Sequence, residues 1–163
     1  MIRAIESHLG SRQVSRVVYG AIIGLALVVA LEDHPPGSGV VVATLLGTAA
    51  AVGLAELYSD ILGIETRTRR HVRRAELRDR ADNAAAVAFG ISFPTVFFVL
   101  AAADAIREGS AFTIAKWSGV GLIWFYGFCA ARLAGEGVPV SALRGLAVGF
   151  IGAFLIALKA LLH

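Results

Sequence analysis

Three carboxylates near the middle of the chain carry the first chemical signal. Glu56 and Asp60 stand four residues apart in Ala55-Glu56-Leu57-Tyr58-Ser59-Asp60, so in a helix they share one face, and Glu65 follows a little over a turn later. Oxygen donors grouped in this way suit a hard divalent cation or a proton. The competing use is pairing with cations. Glu65 and Arg69 have the spacing of a favourable i, i+4 helix pair, and Glu56 can hold a lysine or arginine from another helix. Just beyond lie Arg67, Arg69, Arg70, Arg73, Arg74, Arg78 and Arg80. With apolar blocks on both sides and no interleaved aromatics, these arginines read as a surface for anionic lipid headgroups rather than for nucleic acid.

The other polar residues read as structural. Lys116 and Lys159 sit near the ends of apolar blocks and are expected to snorkel to a membrane interface as anchors. Asp82 and Asn83 have the character of a helix N-cap. Trp117, Trp124 and Tyr126 suit an interfacial belt or helix packing. His8, His34, His71 and His163 are widely separated and form no ligand pair, and the single Cys129 permits no disulfide framework. A phosphate-binding loop, a Gly-x-Ser-x-Gly elbow and a His-Glu-x-x-His pair are all missing from the sequence. Neither catalysis nor a cofactor is expected; a divalent cation would enter as substrate.

The elements that must position these groups are apolar helices. Hydrophobic residues make up 57% of the chain and charged residues 17%, with a mean hydropathy of +0.74, outside the balance of soluble domains. The apolar residues fall into blocks matched to a hydrocarbon core of roughly 30 Å at 1.5 Å per residue. The expected fold is therefore all-α, a single transmembrane domain over residues 1–163 with five helices at about 14–31, 39–62, 83–105, 111–132 and 141–162. An arginine-rich link covers 65–81. Pro94 interrupts the third block, which a membrane helix tolerates when neighbours satisfy the freed carbonyl. Reading the first block as a cleaved leader, on the strength of Val28 and Ala30, is disfavoured because Leu31 and Glu32 follow.

Charge gives the orientation. Arg3, Arg12 and Arg16 precede the first helix, the seven arginines of the link lie between the second and third, and Arg132 and Arg144 flank the fourth and fifth. Together these are twelve of the fifteen basic residues, all on one side. The positive-inside rule makes that side cytoplasmic, with the N-terminus in and the C-terminus out. Small residues at spacing four, Gly20 with Gly24 and Gly145 with Gly149, allow close helix packing within a protomer or, for the first helix, across a dimer.

Three stretches resemble the vacuolar iron transporter family. Arg16-Val17-Val18-Tyr19-Gly20-Ala21-Ile22-Ile23-Gly24 is similar to its first-helix motif Arg-x-x-x-x-Gly-Ala-Asn-Asp-Gly, and Ala55-Glu56-Leu57-Tyr58-Ser59 is similar to Gly-Glu-Tyr-x-Ser. The third runs from Gly127 to Gly152 and resembles the family's final helix pair. The resemblance implies a five-helix homodimer moving ferrous iron or manganese between its first two helices, with Glu56, Asp60, Glu65 and Tyr19 on the ion path. The departures bear on that function. Ile22-Ile23 replaces the pore Asn-Asp, the link is arginine-rich where the family has a long glutamate-rich segment, and helix two contributes no methionine. Each arginine near a divalent ion opposes it by roughly 8 kcal/mol at ~4 Å and an effective dielectric of ~20, before screening. Two functions are thus expected: a divalent cation transporter, or a non-transporting scaffold that binds lipid or a partner through Arg69, Arg70, Arg73 and Arg74. An anion path with those arginines at its mouth is a third.

Overall fold

The computed structural model describes residues 11–162, which leaves Arg3, His8 and His163 outside it. The described residues form six helices and no strand: α1 (Ser11–Leu31), α2 (Ser38–Thr68), α3 (Arg74–Ser92), α4 (Thr95–Ala102), α5 (Glu108–Leu133) and α6 (Val138–Leu162). Helices α1, α2 and α6 are long and apolar enough to cross a membrane, and α3 with α4, bent by 47°, form a fourth such segment if taken as one span. The bend falls at Pro94, which lacks the N–H that would continue the ladder. Helix α5, which carries Glu108, Lys116 and Arg132, is not among them.

The arginine-rich link is mostly helix. Helix α2 runs through Thr68 and α3 begins at Arg74, so only residues 69–73 connect them. The stretch Arg74-Ala75-Glu76-Leu77-Arg78 consists of strong helix formers, and the Glu76 carboxylate accepts the Arg73 backbone N–H at 3.0 Å, supplying the cap. The cap expected at Asp82 and Asn83 is therefore misplaced; both lie inside α3, with Asn83 buried.

The centre of the molecule is the crossing of α1 and α3. A side chain on Gly20 would run into the Val87 carbonyl, and one on Gly90 would run into the Val17 carbonyl and the Ala21 amide. Both pairs are related by the same offset of seventy positions (90 − 20 and 87 − 17), and the offset holds further along. Val28 and Phe98, Val41 and Ala111, Leu45 and Ala115, and Ala49 and Gly119 are all buried. Helix α1 packs on α5 as α3 packs on α2. The chain thus contains a two-helix unit twice, α1–α2 and then α3/α4–α5, related by an approximate two-fold through the glycine crossing. Helix α6 stands outside the repeat and packs on α5 and α1.

One core cluster joins the two units, with Val28, Val41 and Leu45 against Phe98, Ala111 and Phe112. The Phe98 and Phe112 rings meet edge to face at 4.8 Å. A second cluster seats Leu25 and Ile123 beneath α6, and a third packs Ala49 against Val87 and Ile91.

Candidate functional site

Two clusters of partly buried charged side chains stand between the helices, and each is neutral in sum. In one, Arg16 of α1 forms an ion pair with Glu56 of α2 and reaches Asp60 at 3.9 Å. Arg80 of α3 approaches the same Asp60 oxygen at 3.4 Å. Helical spacing presents Glu56 and Asp60 on one face, and the α1 and α3 contacts of α2 bring one arginine to it from each side. The four side chains are partly buried, between 21% and 30% exposed, where an unpaired charge would be costly. The Arg80 Nε is buried without a hydrogen-bond partner among the described residues.

In the other, Lys116 of α5 grips Glu32, with its Nζ at 2.6 and 2.8 Å from the two carboxylate oxygens. Lys159 of α6 lies 2.8 Å from Asp33 and 3.9 Å from Glu32 and donates to the Val29 carbonyl. Both lysines, expected as interfacial anchors, are tied to carboxylates. Each side chain is only 18% exposed, because the carboxylates at the end of α1 offer a partner nearer than bulk water.

The link makes a third group. Arg69 adopts a left-handed conformation, φ 51°, and its N–H closes α2 on the Glu65 carbonyl. That conformation ends the regular helix on which a Glu65–Arg69 side-chain pair depends, so the Glu65 carboxylate instead meets His71 Nδ1 at 3.0 Å. Arg70 donates twice to Glu76, at 2.8 and 2.6 Å. This double hydrogen bond, together with the Arg73 N–H, holds the Glu76 carboxyl at about 2, well below its ordinary value, and Glu76 in turn raises Arg70. Arg67, Arg69, Arg74 and Arg78 are exposed and enter no ion pair among the described residues.

The residues expected on an ion path are thus divided. Glu56 and Asp60 come together, Glu65 belongs to the link, and Tyr19 is 49% exposed with no hydrogen bond among the described residues. No group of three or more His, Cys, Asp or Glu side chains able to hold a metal occurs among the described residues. Gly20 and Gly24 lie against α3, and Gly145 and Gly149 against Trp124. Trp124 itself stacks on Phe128 at 5.7 Å.

The fold and these clusters define a class: an all-α protein with helices of membrane-spanning length and charged groups paired between the helices. Beyond that class, no protein-family model, curated protein or solved structure matches the chain.

Proposed function

We propose that the protein crosses the bilayer five times, with its N-terminus and the α2–α3 link in the cytoplasm, and acts as a non-transporting membrane scaffold that binds anionic phospholipid headgroups through that link. The observation that carries this reading is how the charges are spent. The carboxylates that would receive a cation, Glu56 and Asp60, face Arg16 and Arg80, whereas Arg67, Arg69, Arg74 and Arg78 are exposed in and beside the α2–α3 link. Arginine forks bind phosphate in two-point geometry, and each basic residue near an anionic surface contributes about 1 kcal/mol. The test is native mass spectrometry of the protein from mixed phosphatidylglycerol and phosphatidylcholine micelles. The wild type should retain the anionic lipid selectively, and replacing the four exposed arginines by Gln should abolish the preference. Equal retention of both lipids by the wild type would sink the proposal.

A second reading, transport of ferrous iron or manganese, is supported by one observation beyond the motif resemblance: Glu56 and Asp60 share a face turned toward α1. Flux into liposomes loaded with a metal-sensitive dye decides it. Saturable entry lost on Glu56→Gln would favour transport; entry no faster than in empty liposomes would exclude it.

A further inference from the structure

The connection between α2 and α3 is short, yet with the end of α2 it forms a cavity of about 230 Å³ lined by Glu65, Arg69, Arg70 and His71. From Glu65 to Glu76 the chain carries five arginines against those two glutamates, three positive charges in excess before His71 is counted. A polar cavity set in such a surplus attracts an anion.

Each basic group on its wall is placed by a different contact. Arg69 takes the left-handed conformation that closes α2, and its side chain is exposed and outside every ion pair among the described residues. Arg70 directs Nη1 and Nη2 at the two Glu76 oxygens, 2.8 and 2.6 Å away, and Nη1 also donates to the His71 carbonyl at 3.3 Å. A guanidinium has five N–H groups. The two that remain, on Nε and Nη2, form its other edge, and such an edge binds a phosphate at two points. Glu76, fixed in turn by the Arg73 backbone N–H at 3.0 Å, thus aims Arg70 without exhausting it. His71 meets Glu65 through Nδ1 at 3.0 Å, which leaves Nε2 unengaged on a ring that is 99% exposed. The same contact gives the one carboxylate on the wall a counter-charge when the ring is protonated.

We propose that this cavity binds a phosphate monoester, held by Arg69, the free edge of Arg70 and Nε2 of His71. A monoester presents three terminal oxygens and a charge of about −1.5 to −2 at neutral pH, which matches three separate donor groups. A diester, such as the linkage in phosphatidylglycerol, presents two oxygens and a single charge. The site goes beyond the lipid reading above, which asks only for negative charge beside exposed arginines. Arg69 belongs to both, whereas Arg70 and His71 act only here. The monoester can end a lipid, as in phosphatidic acid, or stand on a soluble molecule, as in glycerol 3-phosphate.

The full chain in phosphatidylcholine nanodiscs would be titrated calorimetrically with glycerol 3-phosphate and with the diester glycerophosphoglycerol. Native mass spectrometry would compare its retention of phosphatidic acid with that of phosphatidylglycerol. Preference for the monoester is expected. Seen in the soluble pair, it shows that the phosphate alone suffices; seen only in the lipid pair, it shows that acyl chains must bring the phosphate to the site. Arg69→Asn removes the guanidinium but keeps the left-handed turn, which asparagine adopts readily. It should weaken monoester binding about ten-fold while amide exchange of the link stays as in the wild type. Arg70→Lys keeps the charge but not the second edge and should weaken binding by a similar factor. Arg78→Gln, outside the cavity, should leave it unaltered. Equal binding of monoester and diester in both pairs, no monoester binding in either, or full binding by Arg69→Asn would overturn the proposal. The lipid reading is decided instead by phosphatidylglycerol against phosphatidylcholine, so either can fail without the other.

Discussion

Replacing Gly90 by Ala tests the crossing on which the whole bundle is built. The new Cβ would lie 2.6 Å from the Ala21 amide nitrogen and 2.8 Å from the Gly20 carbonyl carbon, whereas ordinary contact begins at 3.4 Å. The obstacles are backbone atoms, so no rotamer change relieves them, and α1 and α3 must separate by somewhat less than 1 Å. A gap of that size forfeits a quarter to a half of each dispersion contact across the crossing, and overpacking of this kind costs about 3 kcal/mol. Alanine returns up to about 1 kcal/mol in helix propensity. The net expectation is a loss of about 2 kcal/mol, roughly thirty-fold in the unfolding equilibrium. Gly121→Ala is the control, because a Cβ there meets nothing within 4 Å and should change stability by no more than the propensity gain. Reversible unfolding in mixed micelles with rising dodecyl sulfate, followed by fluorescence of Trp117 and Trp124, measures both. Midpoints for the two variants that agree within about 0.5 kcal/mol would refute the argument that backbone contact at Gly90 sets the helix spacing.

Four further outcomes follow from the charged clusters. Arg16→Gln leaves Glu56 partly buried beside one cation fewer and should destabilise by about 1 to 3 kcal/mol, while the double change with Glu56→Gln should recover most of the loss; a double-mutant cycle in the same micelles reads the coupling. Lys159→Gln removes the tie from α6 to Asp33 and the Val29 carbonyl, so amide exchange in the last turns of α6 should quicken while α3 is unaffected. Glu76 has a folded value of about 2, below its unfolded one. The order it lends to residues 69–77 is therefore complete above an ordinary carboxylate value of ~4.3, falls as the pH drops below it, and is gone once the pH passes about 2; amide exchange of the link against pH should trace that window. Arg70→Gln removes the largest cause of that depression, so the Glu76 carboxyl, followed by its carbon chemical shift, should titrate nearer the ordinary range.

The sequence made the helices legible because their signal is local. Blocks of apolar residues bounded by Glu32, Arg67 and Arg107 announce the lengths of the elements, and Pro94 announces the bend. What depended on distant partners was not legible. Lys116 meets Glu32 across eighty-four positions, and nothing near either residue points to the other. Glu56 and Asp60 were visible as a shared face, but the same spacing serves a metal or two arginines, and only the placement of α1 and α3 gives the face its arginines. The repeat was hidden for a related reason. Its conserved quantity is burial, and Val41 with Ala111 or Leu45 with Ala115 fill the same place with different side chains. Arg69 shows the local limit: the i, i+4 spacing with Glu65 is real, yet a left-handed turn at that residue ends the helix first.

The glycine crossing also bears on the order in which the protein can assemble as it is made. Helix α1 lies chiefly against α3 and α5 and barely touches α2, so α1 and α2 do not form a finished hairpin on their own. Until α3 arrives, Gly20 and Gly24 face no partner, and Arg80 is not yet present to share Asp60. The packing of α1 on α3 therefore needs all of residues 11–92. The contact that sets the geometry of the finished bundle is also the one that sets the timing of its birth.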